Sequence, residues 1–201
     1  LAKEFLKQGG KVVGAAFVDG LHLQHIIVDS EKELSRILRS KYLQSDTLGI
    51  YSRVRAELET GKNVLFCGTP CQVTAMHLFV KDTLREKLFL VGVACHGNAS
   101  PILFEKYVRW LESEARDTIV DVRFRDKKYG WNCGPFLSVK FQSKGWKMIV
   151  FRKNWFFRGF QRGAWTREAC SNCFFRANPC GRDLTLADFW GVEKVIPGID
   201  S

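Results

Sequence analysis

Seven cysteines, at positions 67, 71, 95, 133, 170, 173 and 180, are the residues best suited to chemistry in this 201-residue chain. Cys170-Ser-Asn-Cys173 has the two-residue spacer that lets two thiolates reach one metal centre. Cys71 follows Gly68-Thr69-Pro70, a turn with proline suited to a first helical position, so it falls in the first turn of a helix, a place that suits a thiolate ligand. Cys95 ends a short apolar run, Leu88 to Ala94, and precedes His96 and Gly97. Four thiolates, Cys71, Cys95, Cys170 and Cys173, are enough for one iron–sulfur cluster or one zinc ion. Cys67 lies inside a strand and reads as a small buried hydrophobe. Cys133 and Cys180 each follow a turn residue and stand as reserve ligands. His96 reads equally as a ligand or a loop residue, and His22, His25 and His77 are assigned no role.

Two of these thiols can meet only if the chain between them folds as strand, helix, strand. Asn63 to Phe66 and Leu88 to Ala94 read as buried strands, with a helix over Cys71 to Val80 between them. In such a βαβ unit both strands run the same way, so the loops carrying Cys71 and Cys95 open at the same carboxyl edge of the sheet. Upstream, Val12 to Val18 and Leu21 to Val28 form a hairpin through a two-residue Asp19-Gly20 turn. Ser30 with Glu33 opens a helix to about Arg39, and Ser45 or Asp46 begins another that ends at Gly61. Downstream, Ser100-Pro101 starts an amphipathic helix to about Ala115, with Leu103, Tyr107, Trp110 and Leu111 on one face. Ile119 to Arg125, Pro135 to Phe141, Trp146 to Phe151 and Leu184 to Phe189 read as strands, the middle two joined through Ser143-Lys144-Gly145. The expected fold is α/β (mixed α+β), with a central mixed sheet holding the βαβ unit, flanking helices and a β-hairpin region. Residues 1–201 form one domain in this reading, an α/β part over 1–118 and a strand-rich basic part over 119–201.

Charge is concentrated in the second part. Between Asp121 and Cys180 there are 13 Lys and Arg against 3 Asp and Glu, which accounts for the whole formal net charge of +10. The same stretch holds 14 of the 26 aromatic residues. Such a surface draws anions: a phosphate-bearing cofactor, an acidic protein or nucleic acid. The composition excludes disordered, collagen-like and coiled-coil classes, and no apolar run approaches the roughly 20 residues of a membrane span. An odd cysteine count without a signal peptide points to reduced thiols and a cytoplasmic setting. Both ends read as cut from a longer protein.

Seven segments in register carry a resemblance: Gly14-Ala-Ala-Phe17, Lys41-Tyr-Leu-Gln-Ser45, Gly68-Thr-Pro-Cys-Gln72, Cys95-His-Gly97 with Ser100-Pro101, Phe124-Arg-Asp-Lys127 with Gly130-Trp131, Cys170-Ser-Asn-Cys-Phe174, and Asp183 to Gly191. Together they resemble the coenzyme F420 hydrogenase/dehydrogenase beta subunit family. The resemblance implies an oxidoreductase that binds a flavin, FAD or FMN, beside a 4Fe-4S cluster and relays electrons between a ferredoxin-type carrier and a hydride donor or acceptor. It implies a flavin site built from Lys41, Tyr42, Gln44, Ser45, Gly68, Thr69, Pro70 and Gln72, and cluster ligands Cys71, Cys95, Cys170 and Cys173. Lys41, with Arg125 and Lys127, is a candidate for anion contacts, and no nucleophile or acid–base pair is evident. A ferredoxin or other acidic electron-transfer protein, and a deazaflavin or other small molecule, are the implied partners. The family's N-terminal ferredoxin-like part has no counterpart in these residues. Two other readings use the same thiols or the same fold: a four-cysteine zinc module binding nucleic acid, and a scaffold without cofactors.

Overall fold

The structure, a computed structural model, describes residues 1–126, 137–177, 181–188 and 191–196. Its first strands form the expected hairpin, β1 (Lys11–Val18) against β2 (His22–Val28). Val18 pairs with His22, so the connection holds three residues, Asp19 to Leu21, and not two. Asp19 and Gly20 take φ of 41° and 83°, as the sequence requires of them, while Leu21 leaves the ladder and packs into an apolar core.

After helices α1 (Ala2–Lys7), α2 (Glu31–Ile37) and α3 (Ile50–Glu59), the chain enters the βαβ unit: β3 (Val64–Gly68), α4 (Pro70–Phe79) and, after the single turn α5 (Asp82–Arg85), β4 (Leu88–Val93). β1, β3 and β4 are parallel neighbours, and the late strand β8 (Leu184–Leu186) adds in parallel to β4, giving the order β2-β1-β3-β4-β8. Only β2 runs against the rest, so the sheet is mixed as expected. A parallel sheet must be covered on both faces, which is why β3 and β4 read as unbroken apolar runs. On one face Leu6 and Leu34 of α1 and α2 pack with Val12, Val28, Leu65 and Val91. On the other, Ile50, Val54 and Leu58 of α3 and Val73 and Met76 of α4 pack with Val13, Val64, Phe66, Leu88 and Leu90.

The second sheet is antiparallel, β5 (Ile119–Phe124), β6 (Leu137–Phe141) and β7 (Gly145–Ile149) in that order. It packs against α6 (Pro101–Ala115) and α7 (Trp155–Gln161) through a largely aromatic core. α6 begins at Pro101 after Ser100, as the sequence indicates, and its deepest residues are Phe104, Tyr107, Val108 and Leu111. Tyr107 and Phe156 are fully buried, and Phe124, Phe141, Phe157 and Phe160 nearly so. Much of the aromatic content of the basic stretch is therefore core. β8 belongs to the first sheet although it follows the second in the chain. Asp183 pins it there, its carboxylate accepting from the Leu90 N–H at 2.7 Å and from Arg85 at 2.7 Å.

Two helix ends differ from the sequence expectation. α2 stops at Ile37 and Arg39 takes a left-handed φ of 74°. α3 begins at Ile50, after Gly49 at φ 73°, and not at Ser45 or Asp46. Residues 43–46 are extended because their backbone is claimed elsewhere. Asp46 N–H donates to Leu23 and Asp46 C=O accepts from His25, both at 2.8 Å, while Gln44 N–H donates to Ala99 C=O at 3.2 Å. Among the described residues no helix is long and apolar enough to cross a membrane. Lys127, Gly130, Trp131, Cys133, Cys180, Phe189 and Trp190 lie outside the described residues.

Candidate functional site

The site begins where β3 turns into α4. Thr69 is the helix N-cap and Pro70, which has no N–H to leave unsatisfied, takes the first helical position. Gln72 folds back so that its amide oxygen accepts from both the Thr69 N–H and the Thr69 hydroxyl, each at 3.0 Å. A Cβ at position 68 would stand 3.1 Å from that amide oxygen and 3.2 Å from Gln72 Cβ, so glycine makes room for the fold-back. Cys71 lies exposed in the same turn, its sulfur 3.2 Å from Thr69 Oγ1.

Gln72 also joins the two segments expected to hold the flavin. Its Nε2 donates to Ser45 Oγ at 2.9 Å, and Ser45 Oγ lies 2.8 Å from His25 Nδ1. His25 Nε2 is 3.1 Å from the Cys67 carbonyl oxygen. His25 and Ser45 are 2% and 6% exposed, and the imidazole lies flat on Phe66, centroids 5.4 Å apart. The sequence assigned His25 no role, yet the alternation Leu21, Leu23, His25, Ile27 already set an imidazole on a mostly apolar face, where it must find partners.

Burial lowers the His25 pKa to about 4; the bond to the Cys67 carbonyl opposes this and the nearby Lys41 charge adds to it. The folded state thus holds His25 neutral while the unfolded chain takes up a proton near pH 6.5. This contribution to stability is complete above pH 6.5 and is lost as pH falls toward 4, by about 3 kcal/mol in all. Urea unfolding at about pH 7 and about pH 4.5 should show the loss, and His25→Asn should remove most of it. An equal pH dependence in both proteins would contradict the assignment.

The other residues of the first flavin segment turn inward. Lys41 Nζ donates to the carbonyls of Leu38 at 2.7 Å and Arg39 at 3.2 Å, and burial, followed by the Arg39 charge, lowers its pKa to about 8. Its ammonium is thus already tied to its own loop. Tyr42 stands edge-on to Phe124 and Phe157 and against Phe160, and its hydroxyl bonds Arg125. Arg125 in turn pairs with Asp188. The segments Phe124-Arg-Asp and Asp183 to Asp188, far apart in the chain, therefore meet at Tyr42.

The other expected cluster ligands lie in the loop after β4 and in the segment from Cys170 to Cys173. Gly97 has φ 141°, and a Cβ there would lie 2.8 Å from Thr166 Cγ2 and 3.5 Å from Cys170 Cβ. That close approach, with the Ala99–Thr166 bridge and the Arg167 N–H donating to Asn98 C=O at 3.1 Å, seats α8 (Glu168–Ser171) against the loop after β4. Cys173 follows, just before α9 (Phe174–Ala177), which contacts α4. Burial pushes the Cys95 thiol up; the Gly97 N–H works against this, and the Cys71, Cys170 and Cys173 sulfurs each add to the rise. The other three expected ligands are therefore within electrostatic reach of Cys95, and none of the four is held in a disulfide. Their donor chemistry fits a cluster or a zinc ion. Among the described residues no three His, Cys, Asp or Glu side chains are yet drawn together tightly enough to hold a metal. Cys67 packs half-buried against the α1–α2 side of the sheet, its thiol pushed up by burial. His96 stands edge-on to Phe160.

Residues 61–195 match the family described as the C terminus of the coenzyme F420 hydrogenase/dehydrogenase beta subunit. Among solved structures, a chain of the F420-reducing NiFe hydrogenase complex from Methanosarcina barkeri, in a xenon derivative, superposes with a TM-score of 0.53 at 15% identity. The alignment covers 84% of this chain and 55% of that one, and at this identity it speaks to the fold. No curated protein sequence matches the chain.

Proposed function

The chain belongs to the coenzyme F420 hydrogenase/dehydrogenase beta subunit family, and on that premise we propose that it is a flavin- and iron–sulfur-dependent oxidoreductase unit relaying electrons between a ferredoxin-type carrier and a hydride donor or acceptor. One observation carries the reading: the Gln72–Ser45 bond fastens together the two segments expected to hold flavin, and the same hydrogen-bonded line ends on the sulfur of Cys71. When bound, FAD or FMN and a 4Fe-4S cluster supply the exchange between two-electron hydride transfer and one-electron transfer.

The chain's own residues take distinct parts in this reading. Gly68, Thr69 and Pro70 shape the turn along which a cofactor lies, and Gln72, Ser45 and Gln44 offer it polar groups. Tyr42 and Lys41 act from behind, holding the segment against the aromatic core and the Leu38–Arg39 loop. Cys71, Cys95, Cys170 and Cys173 would hold the cluster. The positive stretch from Asp121 to Cys180 would receive an acidic electron carrier, and a deazaflavin or other small molecule would be the hydride partner. The burial of Phe124, Phe141, Phe156, Phe157 and Phe160 favours this over nucleic-acid binding, which needs exposed rings for bases to stack on.

The test is to purify the protein without oxygen, denature it and analyse the supernatant. Released FAD or FMN is expected, together with the broad absorbance of an iron–sulfur cluster before denaturation. Protein that remains free of flavin after incubation with excess FAD and FMN defeats the reading.

A further inference from the structure

The hydrogen-bonded line through the site has a direction, and its hydrogens can be assigned one after another. The Cys67 carbonyl can only accept, so His25 carries its hydrogen on Nε2 and leaves Nδ1 as an acceptor. Nδ1 therefore takes the Ser45 hydroxyl hydrogen. Ser45 Oγ, having given its one hydrogen away, accepts from Gln72 Nε2. The Gln72 amide oxygen is then the end that faces Thr69, whose N–H and hydroxyl both donate to it. Turning the Gln72 amide over would set its NH2 against the Thr69 N–H, two donors face to face, in a half-buried turn.

We propose that His25 is a positioning residue of the candidate flavin site, its Nδ1 holding the Ser45 hydroxyl so that Ser45 in turn fixes the Gln72 side chain across the Thr69–Cys71 turn. The inference rests on the functional reading only for what Gln72 and Ser45 present to a ligand. The placement itself follows from the bonds. His25 suits the task because one rigid ring reaches two partners, an acceptor nitrogen for Ser45 and a donor nitrogen for Cys67, and its stacking on Phe66 keeps the ring from turning. The smaller amide side chains can each replace one half of it. Asparagine brings an acceptor oxygen near the place of Nδ1, whereas glutamine brings its amide near the place of Nε2.

His25→Gln is therefore expected to weaken FAD binding by about tenfold, with a changed visible spectrum of the bound flavin, while His25→Asn stays within about threefold of the parent. Thermal melting is measured on both, because a merely structural role lowers the melting temperature without separating the two variants in affinity. Equal affinities for the two variants, whether normal or impaired, overturn the proposal. Should His25→Gln fail to fold, Ser45→Ala cuts the same line one bond further on and must show the same loss. Nitrogen-15 shifts of His25 in the unaltered full chain give a reading that needs no flavin: the Nε2–H form is expected, and the Nδ1–H form overturns the proposal. Absence of flavin binding by the parent defeats the functional reading, and the positioning is then decided by that tautomer and by the Gln72 side-chain amide signals. These should be dispersed and slow to exchange in the parent and His25→Asn and averaged in His25→Gln; no difference among the three overturns the placement.

Discussion

Replacing Cys71, Cys95, Cys170 or Cys173 by serine is expected to take the anaerobically purified chain from about four iron atoms to nearly none, or to an oxygen-labile remnant. Cys67→Ser is expected to keep its iron. The four thiols come from three separate segments: the first turn of α4, the loop after β4 and the short helices beyond the second sheet. Across these segments Cys95 lies within electrostatic reach of the other three sulfurs. Cys67 is one residue before the end of β3, but a strand alternates its side chains, and this one turns to the face covered by α1 and α2. Its hydroxyl replacement should cost about 1–3 kcal/mol, a cost read in melting and not in metal content. Iron and sulfide assays on the five variants decide the matter. Full iron in Cys71→Ser, or loss of iron from a folded Cys67→Ser, would mean that the ligand set is wrong.

Gly97→Ala should have the next largest effect, although position 97 carries no chemistry. Its φ of 141° lies where a side chain is strained, and its Cβ would enter Thr166 at 2.8 Å while reaching Cys170 at 3.5 Å. Strain and overpacking together come to about 2–4 kcal/mol, and the cheapest relief is to push the Thr166–Cys170 segment off the loop after β4. The expected result is a folded protein that retains at most about half of its iron and in which maleimide reaches Cys170 faster. A second change, Thr166→Ser, removes the methyl group that the added Cβ would strike while keeping the hydroxyl that donates to Gly163 C=O at 2.8 Å. It should restore part of the iron. Unchanged iron and unchanged labelling in Gly97→Ala would show that this contact does not seat Cys170.

The βαβ unit was legible because its signals are local: apolar runs for β3 and β4, and a proline just inside the helix that separates them. The edge to which Cys71 and Cys95 come follows from the handedness and direction of such a unit, with no further knowledge of contacts. The start of α3 was not legible. Ser45 and Asp46 are good capping residues, but their backbone is taken by Leu23, His25 and Ala99 from distant strands and loops, and no local pattern announces that pairing. The role of His25 is hidden in the sequence for a related reason. Its period along β2 was plain, but the Ser45 and Cys67 groups that give a buried imidazole its work lie 20 and 42 residues away. The aromatic content of the basic stretch misled in the opposite sense, since composition cannot tell a ring that faces solvent from Phe156, which is fully enclosed.

The β1–β2 hairpin has a consequence for how the molecule comes apart. Its lower half, Val12, Val13 and Val28, lies in the cores on the two faces of the first sheet, while Ala15, Phe17, Leu21 and Leu23 near its tip lie in the core of the second. β8, from the far end of the chain, closes the opposite edge of the same first sheet. A division between residues 118 and 119 would bare Phe17, Leu21 and Leu23 on one side and leave β4 without its neighbour on the other. The hairpin thus acts as a pin through both layers, and melting is expected to be a single cooperative event in which neither part outlives the other.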